Sequence, residues 1–268
     1  SSATLDIVFS PEEGPQALRK RLDALCEEAK ECVRQGESLL ILSDRKVSPE
    51  YAAIPSLLAV SGIHHALIRA GLRTKCGLVL ESGEPREVAH FALLSGFGAD
   101  AINPYLAFET LEDMIQMGLL SSVDSYEQAE ENYIKAIDFG MLKIASKMGI
   151  STLQSYSGAQ VFEAVGLSQE LIDDYFTGTA SLIGGIGLEE IGQEAIERHT
   201  KAYDPDWYPG VLESGGHHYY RKYGERHILT PMVVHKLQQA ARTNDPEEYK
   251  AFKEQVYAKE EDFLTLRQ

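Results

Sequence analysis

The chain has 268 residues, 44% of them apolar, with 41 acidic against 25 basic side chains and a formal net charge of −16. That length and apolar share suit one large α/β domain, or one domain with an appendage. The acidic balance disfavours nucleic acid as a partner, because phosphates would be repelled. No 18-residue uncharged apolar run marks a membrane span and no signal-like start is present, so a soluble cytoplasmic protein is expected.

In chain order, residues 3–9 alternate apolar and polar as a strand does. A helix follows over about 15–35, with Leu18, Leu22, Leu25, Ala29 and Val33 on one face and Gly36 as its stop. The apolar run 38–42 is short enough for a buried strand and leaves through Asp44 and Arg45. A helix from about Pro55 to Ala70 leads to a second apolar run, 77–80, which leaves through Glu81. A helix over about 85–94 and a short strand at 99–102, leaving through Asn103, complete the pattern. Apolar strands alternating with helices are the signature of parallel βαβ units. Periodicity alone leaves a partial barrel and an open sheet equally available.

From about 106 to 148 the chain reads as helical, with Asp124 as an N-cap and Glu127 closing a capping box. Residues 151–190 are rich in Gly, Ser and Thr with short apolar islands. A helix over 187–203 precedes a Pro, Gly and aromatic stretch at 204–231. The end reads as two solvated helices around Asn244, Asp245 and Pro246. The fold class is therefore α/β, with a helical and loop-rich C-terminal extension.

Right-handed crossovers put Asp44, Arg45, Glu81 and Asn103 along one edge, at the carboxyl ends of adjacent strands, where α/β folds carry their sites. Either they orient a ligand there, or Arg45 neutralises Asp44 or Glu81 and the edge packs on a neighbour. Gly178, Gly184, Gly185 and Gly187 could cradle a phosphate at a helix N-terminus. Glu189 and Glu190 in the first turn oppose that, so a tight structural loop is the favoured reading. His217, His218, Glu225 and His227 lack the i, i+4 spacing that would fix a metal site. His64 shares a helical face with Leu57 and Ile68 and reads as a core histidine, while His65 and His90 have no spacing to a nucleophile. Lys143 and Lys147 read as a solvated or interface face. Trp207 reads as a loop anchor. Cys26, Cys32 and Cys76 form no C-x-x-C and read as reduced structural thiols, without the close spacing an iron–sulfur cluster needs. No catalytic, cofactor or metal residue is assigned.

Three stretches carry a resemblance: KIASKMGISTLQSYSGAQVFEAVGL (143–167), FTGTASLIGGIGLEEI (176–191), and LLILSD (39–44) with LVLESGEPREVAHFALLSGFGADAINPYLAFETL (78–111). Together they resemble the central domain of the large, glutamine-dependent chain of glutamate synthase, collinearly over nearly the whole sequence. Residues 214–241 resemble the connector into that family's FMN-binding domain. The resemblance implies an α/β central domain over 1–205 and a connector over 206–268. In the family, glutamine is hydrolysed in an amidotransferase domain and ammonia meets 2-oxoglutarate in an FMN-binding domain, where reduced flavin completes L-glutamate. FMN and an iron–sulfur cluster are implied for the parent enzyme and neither for this chain. A spacer that positions those two domains is the implied role, with self-association expected when isolated. A stand-alone α/β enzyme or flavin/phosphate binder and a separately encoded regulatory subunit are the alternatives. Ser157 and Leu182 stand where family members usually carry Arg, and His217 where they carry Glu, which changes the donors available to neighbours.

Overall fold

The computed structural model describes residues 1–123, 125–206, 220 and 226–257. They fall into two compact units, Ser1–Asp204 and Pro205–Gln268. In chain order the first unit runs β1 (Ser2–Asp6), β2 (Val8–Phe9), α1 (Gln16–Arg34), β3 (Leu39–Ser43), β4 (Ala52–Ala53), α2 (Ser56–Arg69), β5 (Gly77–Glu81), α3 (Val88–Gly96) and β6 (Ala101–Asn103). It continues α4 (Tyr105–Gln116), α5 (Tyr126–Lys147), α6 (Leu153–Tyr156), β7 (Glu163–Leu167), α7 (Gln169–Tyr175), β8 (Ala180–Ile186) and α8 (Leu188–Tyr203).

The central sheet is parallel and open, in the order β1-β3-β5-β6, and the described strands close no barrel. The strand expected over 3–9 is divided. Its first half is β1; after Ile7 the chain leaves the sheet and β2 pairs antiparallel with β4. Strand register sets the core. Ala3, Leu40 and Leu78 share one row; Leu5, Leu42, Leu80 and Ile102 share the next row on the same face. Leu40, Leu42, Leu78 and Leu80 have no exposed surface. Burying each such leucine contributes roughly 1.5–3 kcal/mol. The opposite face carries Thr4, Ile41, Val79 and Ala101, all half-buried or exposed.

Helix α1 lays its leucine stripe, Leu18, Leu22 and Leu25, into this core. Helix α2 is different, because it is apolar almost all round and buried from Leu58 to His64. Such a helix needs neighbours on every side. It has β5 beneath it, α1 and α3 beside it and α7 on its outer side. Leu171, Ile172 and Tyr175 of α7 are buried, and Ser61 Oγ donates to Tyr175 O. Gly62 makes room for the tyrosine ring, since a Cβ there would lie 3.1 Å from its Cδ1. The stretch 151–190, rich in Gly, Ser and Thr with short apolar islands, contains α6, α7 and a second parallel pair, β7-β8.

Arg73, in the turn before β5, ties the other end of α2 to the sheet. Its Nε donates to His64 Nδ1 at 2.9 Å, one Nη to Cys76 O at 2.7 Å, and the other to Gly98 O and Asp100 Oδ2, each at 2.9 Å. Asp100 Oδ2 also accepts the Leu78 N–H. Gly98 has φ +115°, and a Cβ there would meet the His64 ring at 2.3 Å. Gly98 thus supplies the turn after α3, whose last residue is Gly96.

Helix α3 begins at Val88 rather than near Pro85, with His90 Nδ1 accepting the Arg86 and Glu87 N–H groups. Helix α5 is capped by Ser125, whose side chain accepts the Gln128 N–H; Asp124, expected in that role, lies outside the described residues. In the second unit, α9 (Pro231–Thr243) and α10 (Pro246–Tyr257) flank Asn244, which adopts the left-handed conformation. Lys236 pairs with Glu248 across them at 2.9 Å.

His64 carries a testable consequence. Burial first, and the Arg73 cation second, lower its pKa to about 4. The unfolded chain, with an ordinary histidine near 6.5, binds more protons than the native state between those values. Stability should therefore be intact above pH 6.5 and fall by roughly 3 kcal/mol as pH drops to 4. Urea midpoints at pH 7 and 4.5 check this. His64→Gln keeps an acceptor for Arg73, cannot titrate, and should show a smaller drop.

Candidate functional site

The carboxyl ends of the central strands are brought level by register: Asp6, Ser43, Glu81 and Asn103 form one row. Asp44 and Arg45 follow directly, so the topology does gather the four residues expected there. Their roles differ from one another. Asp44 is 3% exposed. Its Oδ2 accepts from Ser82 Oγ, its Oδ1 from Tyr105 Oη at 2.7 Å, and both oxygens from the Gly83 N–H at 3.1 and 3.2 Å. Burial, then the bond to Asp44, pushes the Tyr105 phenol well above its ordinary pKa.

Arg45 does not reach Asp44. It donates to Glu81 Oε1 at 2.7 Å and to Glu109 Oε1 at 3.3 Å. Its guanidinium lies 4.0 Å from the centre of the Tyr105 ring, a cation–π contact. Ser43 Oγ holds the other Glu81 oxygen at 2.7 Å. The Arg45 and Ser43 hydrogen bonds lower the Glu81 pKa, the Arg45 bond more. Asn103 contributes its main chain, accepting the Ser82 N–H at 3.1 Å.

Ser43, Ser82, Gly83, Tyr105 and Glu109 went unassigned by sequence reasoning. Glu84 did too. Its Oε2 accepts the Ser56 N–H at 2.7 Å and so caps α2 from another loop. Helix α2 has Pro55 at its N-cap and no local side-chain cap. That gap was readable, but its distant partner was not.

The glycine loop is filled by its own chain. A Cβ on Gly185 would lie 2.1 Å from Gly166 O, and the Gly187 N–H donates to Glu190 Oε2 at 2.8 Å. The first amide at the α8 N-terminus is thus held by a carboxylate. Leu182 is 89% exposed in β8. Cys26 and Cys76 are buried and Cys32 is half-buried, all unpaired; burial raises Cys26 to about 11, which suppresses thiolate chemistry. Lys143 and Lys147 are exposed on α5. Trp207, His217, His218 and Glu225 lie outside the described residues. Among the described residues no group of three or more His, Cys, Asp or Glu is placed to share a metal ion, and no helix is long and apolar enough to cross a membrane.

Residues 1–168 match the family model for the glutamate synthase central domain. The chain is 49% identical to the glutamate synthase [NADPH] large chain of Bacillus subtilis over 97% of its own length, which is 16% of that protein. It is 41% identical to glutamate synthase [NADH] of Saccharomyces cerevisiae, covering 97% of this chain and 12% of the relative. It is 40% identical to the ferredoxin-dependent glutamate synthase of Pyropia yezoensis, covering 93% and 17%. The chain thus spans about a sixth or less of these relatives, whose names carry three different electron donors.

Removing the buried acceptor should be costly. Asp44→Ala strands Ser82 Oγ, Tyr105 Oη and the Gly83 N–H, and is expected to lower stability by about 3 kcal/mol in urea denaturation. Tyr105→Phe removes one donor and should cost about 1 kcal/mol. Glu84→Ala should also cost about 1 kcal/mol through loss of the α2 cap.

Proposed function

We propose, from the premise that this chain belongs to the family of glutamate synthase central domains, that it is a non-catalytic scaffold between an amidotransferase domain and an FMN-binding domain. In this reading the parent enzyme forms L-glutamate from glutamine and 2-oxoglutarate. FMN, the iron–sulfur cluster and the glutaminase nucleophile belong to the parent's other domains. One observation carries the reading for this chain. The carboxylates at the strand ends are engaged by neighbouring groups, with Asp44 closed inside four hydrogen bonds and Glu81 held by Arg45 and Ser43. A site poised for substrate keeps a donor or acceptor free to meet it. Here those groups fix loops in place, as a rigid spacer requires.

The stand-alone enzyme or flavin/phosphate binder would use this strand-end edge or the glycine loop. The filled Gly185 position and the Glu190-held amide weigh against the loop. The exposed apolar side chains Val165, Leu182 and Ile183 on β7-β8 are where isolated copies would meet one another.

The purified chain should release no ammonia from glutamine and should oxidise no reduced FMN with 2-oxoglutarate and ammonia present. Turnover of either kind overturns the scaffold reading. In the full-length parent, Arg45→Ala should leave each half-reaction measurable when assayed alone and reduce the yield of glutamate per glutamine consumed. An unchanged yield would remove the strand-end edge from the positioning role. Sedimentation at tens of micromolar should show self-association, which Leu182→Arg reduces.

A further inference from the structure

The central sheet ends on β6, and no described strand pairs with its far side. The ladder with β5 uses Asn103, whose C=O accepts the Ser82 N–H, and Ala101, two residues earlier and opposite Val79. Alternate residues of a ladder direct their main-chain groups to opposite sides. Ile102 therefore turns both its N–H and its C=O away from β5. One residue is too little to pair a strand. It is enough to hold one flat molecule by a donor and an acceptor together.

Ile102 is half-buried and lines a cleft of about 340 Å³ between β6 and α5, at the lower end of the size range of ligand sites. Phe91 of α3, Phe108 of α4, and Ile134, Ile137 and Met141 of α5 form its apolar walls. Edge-on ring contacts of Tyr133 with Phe91 and Phe108, at centroid distances of 6.4 and 5.8 Å, brace the three helices against one another. Two polar side chains of the lining are already committed. Asp100 pairs with Arg73 at 2.9 Å, and Tyr133 Oη donates to Arg86 O at 3.1 Å. Asp138 is exposed at the rim, and neither Lys nor Arg lines the cleft.

Three features together restrict the ligand. Aromatic and apolar walls suit a flat heteroaromatic ring, whose π-face packs on such side chains whatever its substituents. A main-chain N–H beside a C=O calls for the reverse order on the ring, an acceptor next to a donor. A ring nitrogen flanked by an amino group supplies that order. Two carboxylates and no cation then disfavour a phosphate on the same molecule. The fit is to a base and not to its nucleotide.

We infer that the cleft between β6 and α5 binds a neutral, amino-substituted heteroaromatic base of the adenine type. Its ring nitrogen accepts the Ile102 N–H, and its amino group donates to the Ile102 C=O. This goes beyond the scaffold reading and does not depend on it.

The probe is 9-methyladenine, titrated into the isotope-labelled chain and followed through its amide resonances. The expected result is saturable movement of the Ile102 amide, with a dissociation constant on the order of a millimolar for a ligand this small. 9-Methylpurine lacks the amino group and should bind about fivefold more weakly, as one hydrogen bond is lost. Adenosine monophosphate should also bind more weakly than 9-methyladenine. Asp138→Lys should narrow that second gap and leave 9-methyladenine unaffected. Asp138 is exposed, so the variant should keep the melting temperature of the parent chain. The inference is overturned by an unmoved Ile102 amide, by equal binding of 9-methylpurine, or by a monophosphate that binds the parent chain as well as 9-methyladenine does. A gap that Asp138→Lys leaves unchanged overturns it too, because the phosphate would then lie away from this rim.

Discussion

A carboxylate taken out of water must have its oxygens matched, and Asp44 is the place where this fold meets that constraint. It sits at the end of β3, and its donors come from two other segments, the loop after β5 and the first turn of α4. Satisfying one side chain therefore fixes the spacing between three strand ends. The effect propagates. With Ser82 and Gly83 held, Glu84 is set where it caps α2, and Ser82 Oγ accepts the Glu84 N–H. Tyr105, held by Asp44, presents its ring to Arg45. The edge that topology would offer to a ligand becomes a joint between elements.

Helix α2 shows the same economy in apolar terms. A helix with no polar face has no surface to give to water, so it demands a third layer over the sheet and its helices. The chain supplies that layer with α7 and α8, folded back over α2 and α1. Gly62 and Gly192 permit the close approach; a Cβ at Gly192 would lie 2.7 Å from Pro15 O. The outward layer leaves the opposite face of the central sheet and the outer side of β7-β8 uncovered. Parallel sheets are normally covered on both faces, and the chain spans 16% of the length of its Bacillus subtilis relative.

Much of this was legible beforehand because it is local. The leucine runs at 38–42 and 77–80, the spacing of Leu18, Leu22 and Leu25, and the stop at Gly36 state strand, helix and boundary within a few residues. The alternation of strand and helix placed Asp44, Arg45, Glu81 and Asn103 on one edge; in the structure Glu81 and Asn103 share a row with Ser43, and Asp44 and Arg45 follow it. The elements within 151–190 were not legible beforehand, because its strands are short, glycine-broken and exposed. They show neither a buried run nor clean alternation, and tertiary contacts through α7 set their position.

The sequence by itself determined the α/β class, the parallel order of the units, the strand-end grouping and the family, since each rests on short-range pattern or collinear motif. Only the tertiary structure decided that the sheet stays open, that Arg45 pairs with Glu81 and Glu109 rather than Asp44, and that Glu84 caps a helix 28 residues before it. The physical reason is the same in each case. A buried charge or an orphan amide takes whichever partner the packing brings within about 3 Å, and sequence distance does not enter that choice.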